Sequence, residues 1–189
     1  QASSSAASDV YKRQGISSLR NSSLEKDSFF GHSMDISANF AAIGSRDGNV
    51  VTEYIFDSKN NNWNQFNTIY PNKIQKKGHF GFSVAYNDEE LIIGYPGFDN
   101  IGNIQIYSLS NGKREHYKTI NSPNTSEGDF FGSSIDVAND QLAVGSFNGE
   151  VVSIYEFTID GTILFEIILS TNNIKGGLFG RSISLSMDE

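Results

Sequence analysis

The stretch Phe29-Phe30-Gly31-His32-Ser33-Met34-Asp35-Ile36 decides the fold, because the chain repeats it. It returns as Phe80-Gly81 with Ser83, Val84 and Tyr86 behind it, as Phe131-Gly132 with Ser134, Ile135 and Val137, and as Phe179-Gly180 with Ser182, Ile183 and Leu185. Successive glycines of the four Phe-Gly pairs lie 50, 51 and 48 residues apart. Working outward from them, other columns fall into register. Thirteen residues after the first three come Gly44, Gly94 and Gly145, and twelve residues before the four come Leu19, Ile69, Ile120 and Ile168. Self-similarity at a fixed period of this length is the mark of a repeat architecture.

Each complete copy carries four strand signals. The first alternates, as in Ser33-Met34-Asp35-Ile36, which puts large apolar side chains on one face and small ones on the other. The second is a short apolar run closing on glycine: Ala41 to Gly44, Leu91 to Gly94, Leu142 to Gly145. A continuous apolar run of this length suits a strand buried on both faces. The third strands follow Gly48, Gly102 and Gly149, and the fourth run Trp63 to Ile69, Glu115 to Ile120 and Thr162 to Ile168. Four short strands every 50 residues or so predict the blades of a β-propeller. The expected fold class is therefore all-β: a partial β-propeller of three complete four-stranded antiparallel blades, at about 29–69, 79–120 and 130–168. Partial blades are expected at 16–19 and 179–186, with the remaining blades missing from the chain.

The Phe-Gly pairs, followed thirteen residues later by Gly44-Ser45, Gly94-Tyr95-Pro96 and Gly145-Ser146, resemble the FG-GAP repeats of integrin α-subunit propellers and their relatives. The resemblance spans residues 16–186. Many members of that family carry an Asp-rich calcium loop between the first and second strands. Calcium takes six to eight oxygens, and here the corresponding links are short turns: Ala38-Asn39, Asn87 to Glu90, and Asn139-Asp140. The resemblance therefore implies the scaffold without its metal, and no cofactor is expected.

Ser4 to Gln14 reads SSAASDVYKRQ and resembles an in-frame translation of a sequencing adapter. That implies a non-native tail over residues 1–14, a propeller fragment over 15–189 and a gene that begins further upstream.

Composition narrows the function. The formal net charge of −8 repels phosphate backbones, so nucleic acid is not an expected partner. There is no cysteine, which excludes disulfides, thiolate nucleophiles and Cys-ligated metal. No apolar run approaches the roughly 18 residues of a membrane span. Histidines stand at 32, 79 and 116, two of them beside Phe-Gly pairs, where packing explains them. No H-E-x-x-H or G-x-S-x-G string occurs, and no pair of carboxylates stands out for glycosidase work. The expectation is a non-catalytic binding or adhesion module for a protein or glycan, extracellular or at the cell surface. The alternative is a fragment of a propeller enzyme, glycosidase or lyase, whose active site lies in absent blades.

Loops on a rigid scaffold carry binding. The fourth-to-first linkers and second-to-third turns emerge at one end of each blade. That end nominates Arg46, Asp47, Phe98, Asp99, Phe147 and Asn148 as binding-face residues. Gly31, Gly44, Gly81, Gly94, Gly132, Gly145 and Gly180 form the structural repeat, the second-strand glycines marking close backbone approach. Asn21-Ser22-Ser23 and Asn124-Thr125-Ser126 are possible glycosylation sites.

Overall fold

The computed structural model describes residues 19–88, 90–123, 126–158, 161–171 and 177–186. They form three four-stranded antiparallel sheets, each in simple sequential order. The first contains β1 (Phe30–Ser37), β2 (Phe40–Ser45), β3 (Val50–Asp57) and β4 (Asn62–Ile69). The second contains β5 (Val84–Asn87), β6 (Glu90–Tyr95), β7 (Asn103–Ser110) and β8 (Lys113–Asn121), with one 3-10 turn at Phe98–Asn100 between β6 and β7. The third contains β9 (Phe131–Ala138), β10 (Gln141–Ser146), β11 (Val151–Thr158) and β12 (Gly161–Leu169). No α-helix occurs among the described residues, and no helix is long and apolar enough to cross a membrane.

The recurring Phe-Gly pair has one geometry throughout. His32 N–H donates to Phe29 C=O (3.2 Å), Phe82 N–H to His79 C=O (3.1 Å), Ser133 N–H to Phe130 C=O (3.2 Å) and Arg181 N–H to Leu178 C=O (3.1 Å). The glycine at the third corner has φ of +88°, +83°, +89° and +79° in turn. Those are the donor, acceptor and positive φ of a type II turn, which calls for glycine there. In the first and third sheets the turn interrupts the pairing of the opening strand: Phe30 faces Ser45 and Ser33 faces Gly44, and likewise Phe131 faces Ser146 and Ser134 faces Gly145. In the second sheet the ladder starts after the turn, at Val84.

This turn is the hinge pin between sheets. Ser33 Oγ donates to Gly81 O (2.9 Å), Ser83 Oγ to Gly132 O (2.7 Å) and Ser134 Oγ to Gly180 O (2.6 Å). The second-strand glycine lies directly beneath. A Cβ on Gly44, Gly94 or Gly145 would stand 2.1, 2.1 and 2.0 Å from the same three carbonyl oxygens. The serine, the second-strand glycine and the next Phe-Gly turn thus form one joint, used three times. Asp35 Oδ2 accepts from Tyr86 N–H (2.7 Å) and Asp136 Oδ2 from Leu185 N–H (2.5 Å), a further bond across the joint. Ala85 holds the matching place in the second sheet and supplies no such acceptor.

Apolar packing follows the joints. Phe80, Val84 and Tyr86 of the second sheet pack on Ala42, Val51 and Ile69 of the first. Phe131, with Ile135 and Val137, packs on Ile92, Ile104 and Ile106 of the second. Ile183 and Leu185 pack on Ala143, Val152 and Ile154 of the third. Phe80 and Phe131 are wholly buried, each contributing about 1.5–3 kcal/mol of transfer free energy. Residues 179–186 occupy the place of an opening strand but have no ladder partner and are not assigned as strand. Of the segment 16–19 only Leu19 is described; it packs beside Ala41, Ile43 and Tyr54.

Two regularities were not read from the sequence. Tyr54, Tyr107 and Tyr155 form a buried column on the third strands. Each sheet also has a bulge beside that tyrosine, where the fourth strand spends one extra residue: Phe66, Tyr117 and Phe165 are skipped in register. A bulge sharpens the local twist of the outermost strand.

One polar contact inside the interface has no counterpart in the other sheets among the described residues. Glu53 stands where Ile106 and Ile154 stand in the other third strands. Arg114 Nη2 of β8 reaches its Oε1 at 2.6 Å, with both side chains essentially inaccessible (1% and 0%). Tyr86 Oη donates to Glu53 Oε1 (2.8 Å) and Asn67 Nδ2 to Oε2 (3.0 Å). Burial, then the Glu53 carboxylate beside it, pushes the Tyr86 phenol well above its ordinary value.

Candidate binding face

The Phe-Gly turns open β1 and β9 and precede β5, while β2, β6 and β10 end beside them, so the turns and the second-to-third loops share one rim. The residue before each Phe-Gly pair has a positive φ: 53° at Phe29, 58° at His79, 56° at Phe130 and 60° at Leu178. Bulky residues adopt that conformation only when the surroundings impose it. Each of these residues is the first corner of its type II turn, and at Phe29 the side chain is left 52% exposed.

Arg46 leaves the end of β2 and lays its guanidinium over the Phe29 ring, 4.6 Å from the centroid, with Phe82 on its other side at 6.0 Å. Asp47 Oδ1 lies 3.2 Å from both Arg46 Nε and His79 Nδ1. Neither nitrogen makes a hydrogen bond at that distance, so both approaches are off the hydrogen-bond line. His32 packs its ring edge on Phe82 (4.5 Å, 66°). Burial, then the Arg46 charge, holds the His32 pKa below the ordinary 6.5. A half-open polar cavity of about 310 Å³ adjoins this group, between Asp47 and the loop carrying Lys26 and Asp27.

The third sheet presents a matching pair at matching positions. Phe130, before the Phe-Gly pair, stacks on Phe147, two residues past Gly145 (5.3 Å, 6° between planes). Asn148 beside it is exposed, and its N–H donates to Asp129 C=O (3.3 Å). Burial raises the Asp129 pKa above its ordinary value.

The second sheet differs. Phe98 is half-buried, 5.2 Å from the Tyr95 ring, with Lys73 Nζ 5.4 Å above it. Asp99 takes a positive φ of 50° and is tied to the 70–78 linker: its N–H donates to Gln75 Oε1 (2.8 Å) and its Oδ1 accepts from Gln75 Nε2. Gln75 N–H donates in turn to Tyr95 Oη (2.7 Å). The pair expected to be displayed therefore anchors a linker, because the extra residues 97–100 fold down onto it. Phe29, His32, His79, Phe82 and Phe130 stand on the same rim; of these, the sequence assigns only His32 and His79 to packing, and His32 does pack on Phe82.

Asn21 turns its amide inward, Nδ2 donating to Thr52 Oγ1 (2.8 Å), while Asn124 lies outside the described residues. Among the described residues no three His, Asp or Glu converge on a point that would hold a metal. A scan against protein-family models finds no match to the chain, and a search of curated proteins finds none either.

Proposed function

We propose that the chain is a piece of an FG-GAP-type β-propeller that works as a non-catalytic binding or adhesion module, outside the cell or at its surface. The observation that carries the reading is the two-fold recurrence, on one rim, of an aromatic residue at positive φ against a partner from the neighbouring loop: Phe29 with Arg46, and Phe130 with Phe147. Three successive joints of one geometry support the propeller, because radial stacking of blades requires the same contact each time. An exposed aromatic ring at Phe29 and a half-buried pair at Phe130 and Phe147, beside a guanidinium and a carboxylate, fit protein side chains or the apolar faces of sugar rings.

The test is binding of the purified chain to a glycan array and a panel of extracellular proteins. A ligand whose binding is lost in Phe147→Ala or Arg46→Ala, and kept in Asp140→Ala at the opposite end, supports the reading. Ligands unaffected by both rim variants, or turnover of a bound glycan, refute it.

A further inference from the structure

The joints are built to one plan, so their shared geometry alone does not say which sheet follows which. Each uses the same serine bond and the same second-strand glycine. Between the second and third sheets the rest of the contact is apolar, with Phe131, Ile135 and Val137 on Ile92, Ile104 and Ile106. An apolar surface tolerates other apolar faces of about the right volume. The joint between the first and second sheets carries something more. The buried Glu53 carboxylate accepts from Asn67 Nδ2 of its own sheet (3.0 Å to Oε2). The second sheet supplies the other donors: Tyr86 Oη (2.8 Å to Oε1) and Arg114, whose Nε reaches Oε1 and Oε2 at 3.0 and 3.2 Å and whose Nη2 reaches Oε1 at 2.6 Å. The guanidinium also lies over the Phe40 ring of the first sheet, 5.6 Å from its centroid.

Register shows that the other described sheets lack all three groups. Ile106 and Ile154 hold the place of Glu53. Arg114 stands opposite Leu109, a place that falls to Trp63 opposite Phe56 and to Thr162 opposite Phe157. The repeat puts Ile36, Val137 and Leu185 where Tyr86 stands. Were the third sheet to seat on the first, Val137 and Thr162 would replace Tyr86 and Arg114, and Glu53 would keep Asn67 alone. Were the second sheet to seat on a face carrying Ile106 or Ile154, the guanidinium would be buried against aliphatic carbon. Stranding one member of a buried ion pair is strongly unfavourable, whereas replacing both by apolar groups is often neutral. The pair therefore adds little to the correct joint and opposes the incorrect ones.

We propose that Glu53, Arg114 and Tyr86 fix the order of the sheets: they admit the second sheet to the first and turn the third away. Chains built of similar repeats go wrong by joining modules out of order. Choice between two partners is a difference in free energy, and a stranded charge against the wrong partner supplies it. The inference stands on the joints and is independent of what the rim binds.

Disulfide capture during refolding of the full chain tests this, and a sequence without cysteine gives no background. Ala42 packs on the second sheet from the first, and Ile135 packs on it from the third, so the second sheet separates them. By the repeat, Ile135 takes the place of Val84 near Ala42 only when the third sheet seats on the first. The reporter is therefore Ala42→Cys/Ile135→Cys, refolded from urea in a thiol–disulfide buffer. The closed bond is counted by peptide mass spectrometry in monomers and oligomers alike. Adding Glu53→Ile/Arg114→Met should raise the closed fraction at least about tenfold, the equivalent of 1.4 kcal/mol of lost discrimination. Should that variant not fold, Arg114→Met/Thr162→Arg, which moves the guanidinium to the third sheet, is read in its place and should raise the fraction likewise. Gly112→Ala, a strained turn away from the joint, should leave it at the reporter's own level. A closed fraction unchanged in the pair variant, or raised equally by Gly112→Ala, would overturn the proposal.

Discussion

Gly94→Ala isolates the joint. The added methyl would stand 2.1 Å from Gly132 O and 2.2 Å from Ser83 Oγ. The first obstacle is backbone of the next sheet and cannot rotate away, so the second and third sheets must part by more than about 1 Å to reach ordinary contact. That movement breaks the Ser83 Oγ to Gly132 O bond of 2.7 Å, in a buried place where its loss costs about 1 kcal/mol. It also loosens Phe131 from Ile92 and Ile104, an overpacking cost of about 1–3 kcal/mol. A total near 3 kcal/mol corresponds to a fall in Tm of about 6–12 °C for a chain of this size. Gly112→Ala is the control: φ is +77° but nothing lies within 4 Å of the new carbon. Only the left-handed backbone is penalised there, about 1 kcal/mol and so about 2–4 °C. Adding Ser83→Gly to Gly94→Ala removes the second obstacle and leaves the first, so it should not rescue. Differential scanning calorimetry decides: a Gly94→Ala shift no larger than that of Gly112→Ala would refute the close approach as the reason for the recurring glycine.

Three further outcomes follow from named contacts. Arg114→Met strands the Glu53 carboxylate in the interface and should cost about 3–5 kcal/mol, whereas Glu53→Ile/Arg114→Met should recover most of it, since Ile106 and Ile154 already hold that place; equal losses in urea melts of the single and double variants would refute this. His32 accepts a proton less readily in the folded chain than in the unfolded one, so the unfolded state takes it up first as pH falls: stability is complete above the ordinary 6.5 and declines below it. The fall in Tm between about pH 7.5 and 5.5 should be shallower in His32→Gln, and identical slopes would overturn the assignment. Calcium on the order of 1 mM should leave Tm unchanged, because the turn after β1 is Ala38-Asn39 and that after β9 is Asn139-Asp140, too short to wrap six oxygens; a rise of several degrees would show a site.

The strand count and order were legible in the sequence because the repeat supplies its own alignment. Gly44, Gly94 and Gly145 stood out since a glycine ending an apolar run has no packing reason to be there, and the structure provides one in the carbonyl of the next Phe-Gly turn. The Tyr54, Tyr107, Tyr155 column escaped notice because the inserted loop at 97–100 shifts its second member by three residues relative to the glycine before it. The bulges were invisible for a different reason. An extra residue on an outer strand leaves the loop lengths unchanged, and on a half-exposed strand such as 62–69 or 113–121 the apolar alternation is too sparse for its shift to be read.

The candidate face was only half legible, and the missing half has one cause. A residue beside a Phe-Gly pair is ambiguous in sequence, since a Phe or His there could point inward with its neighbour. The structure resolves the ambiguity: the phenylalanine of the pair is 0% exposed at Phe80 and Phe131, while the residue before it, the first corner of the type II turn, has positive φ and is half-buried at His79 and Phe130 and exposed at Phe29. The same few atoms therefore do two things. They lock one sheet to the next through the glycine carbonyl, and Phe29, His79 and Phe130 are their first corners on the rim. A substitution that relaxes the turn should consequently weaken the stack and disperse the rim together, while Arg46→Ala or Phe147→Ala should touch the rim alone.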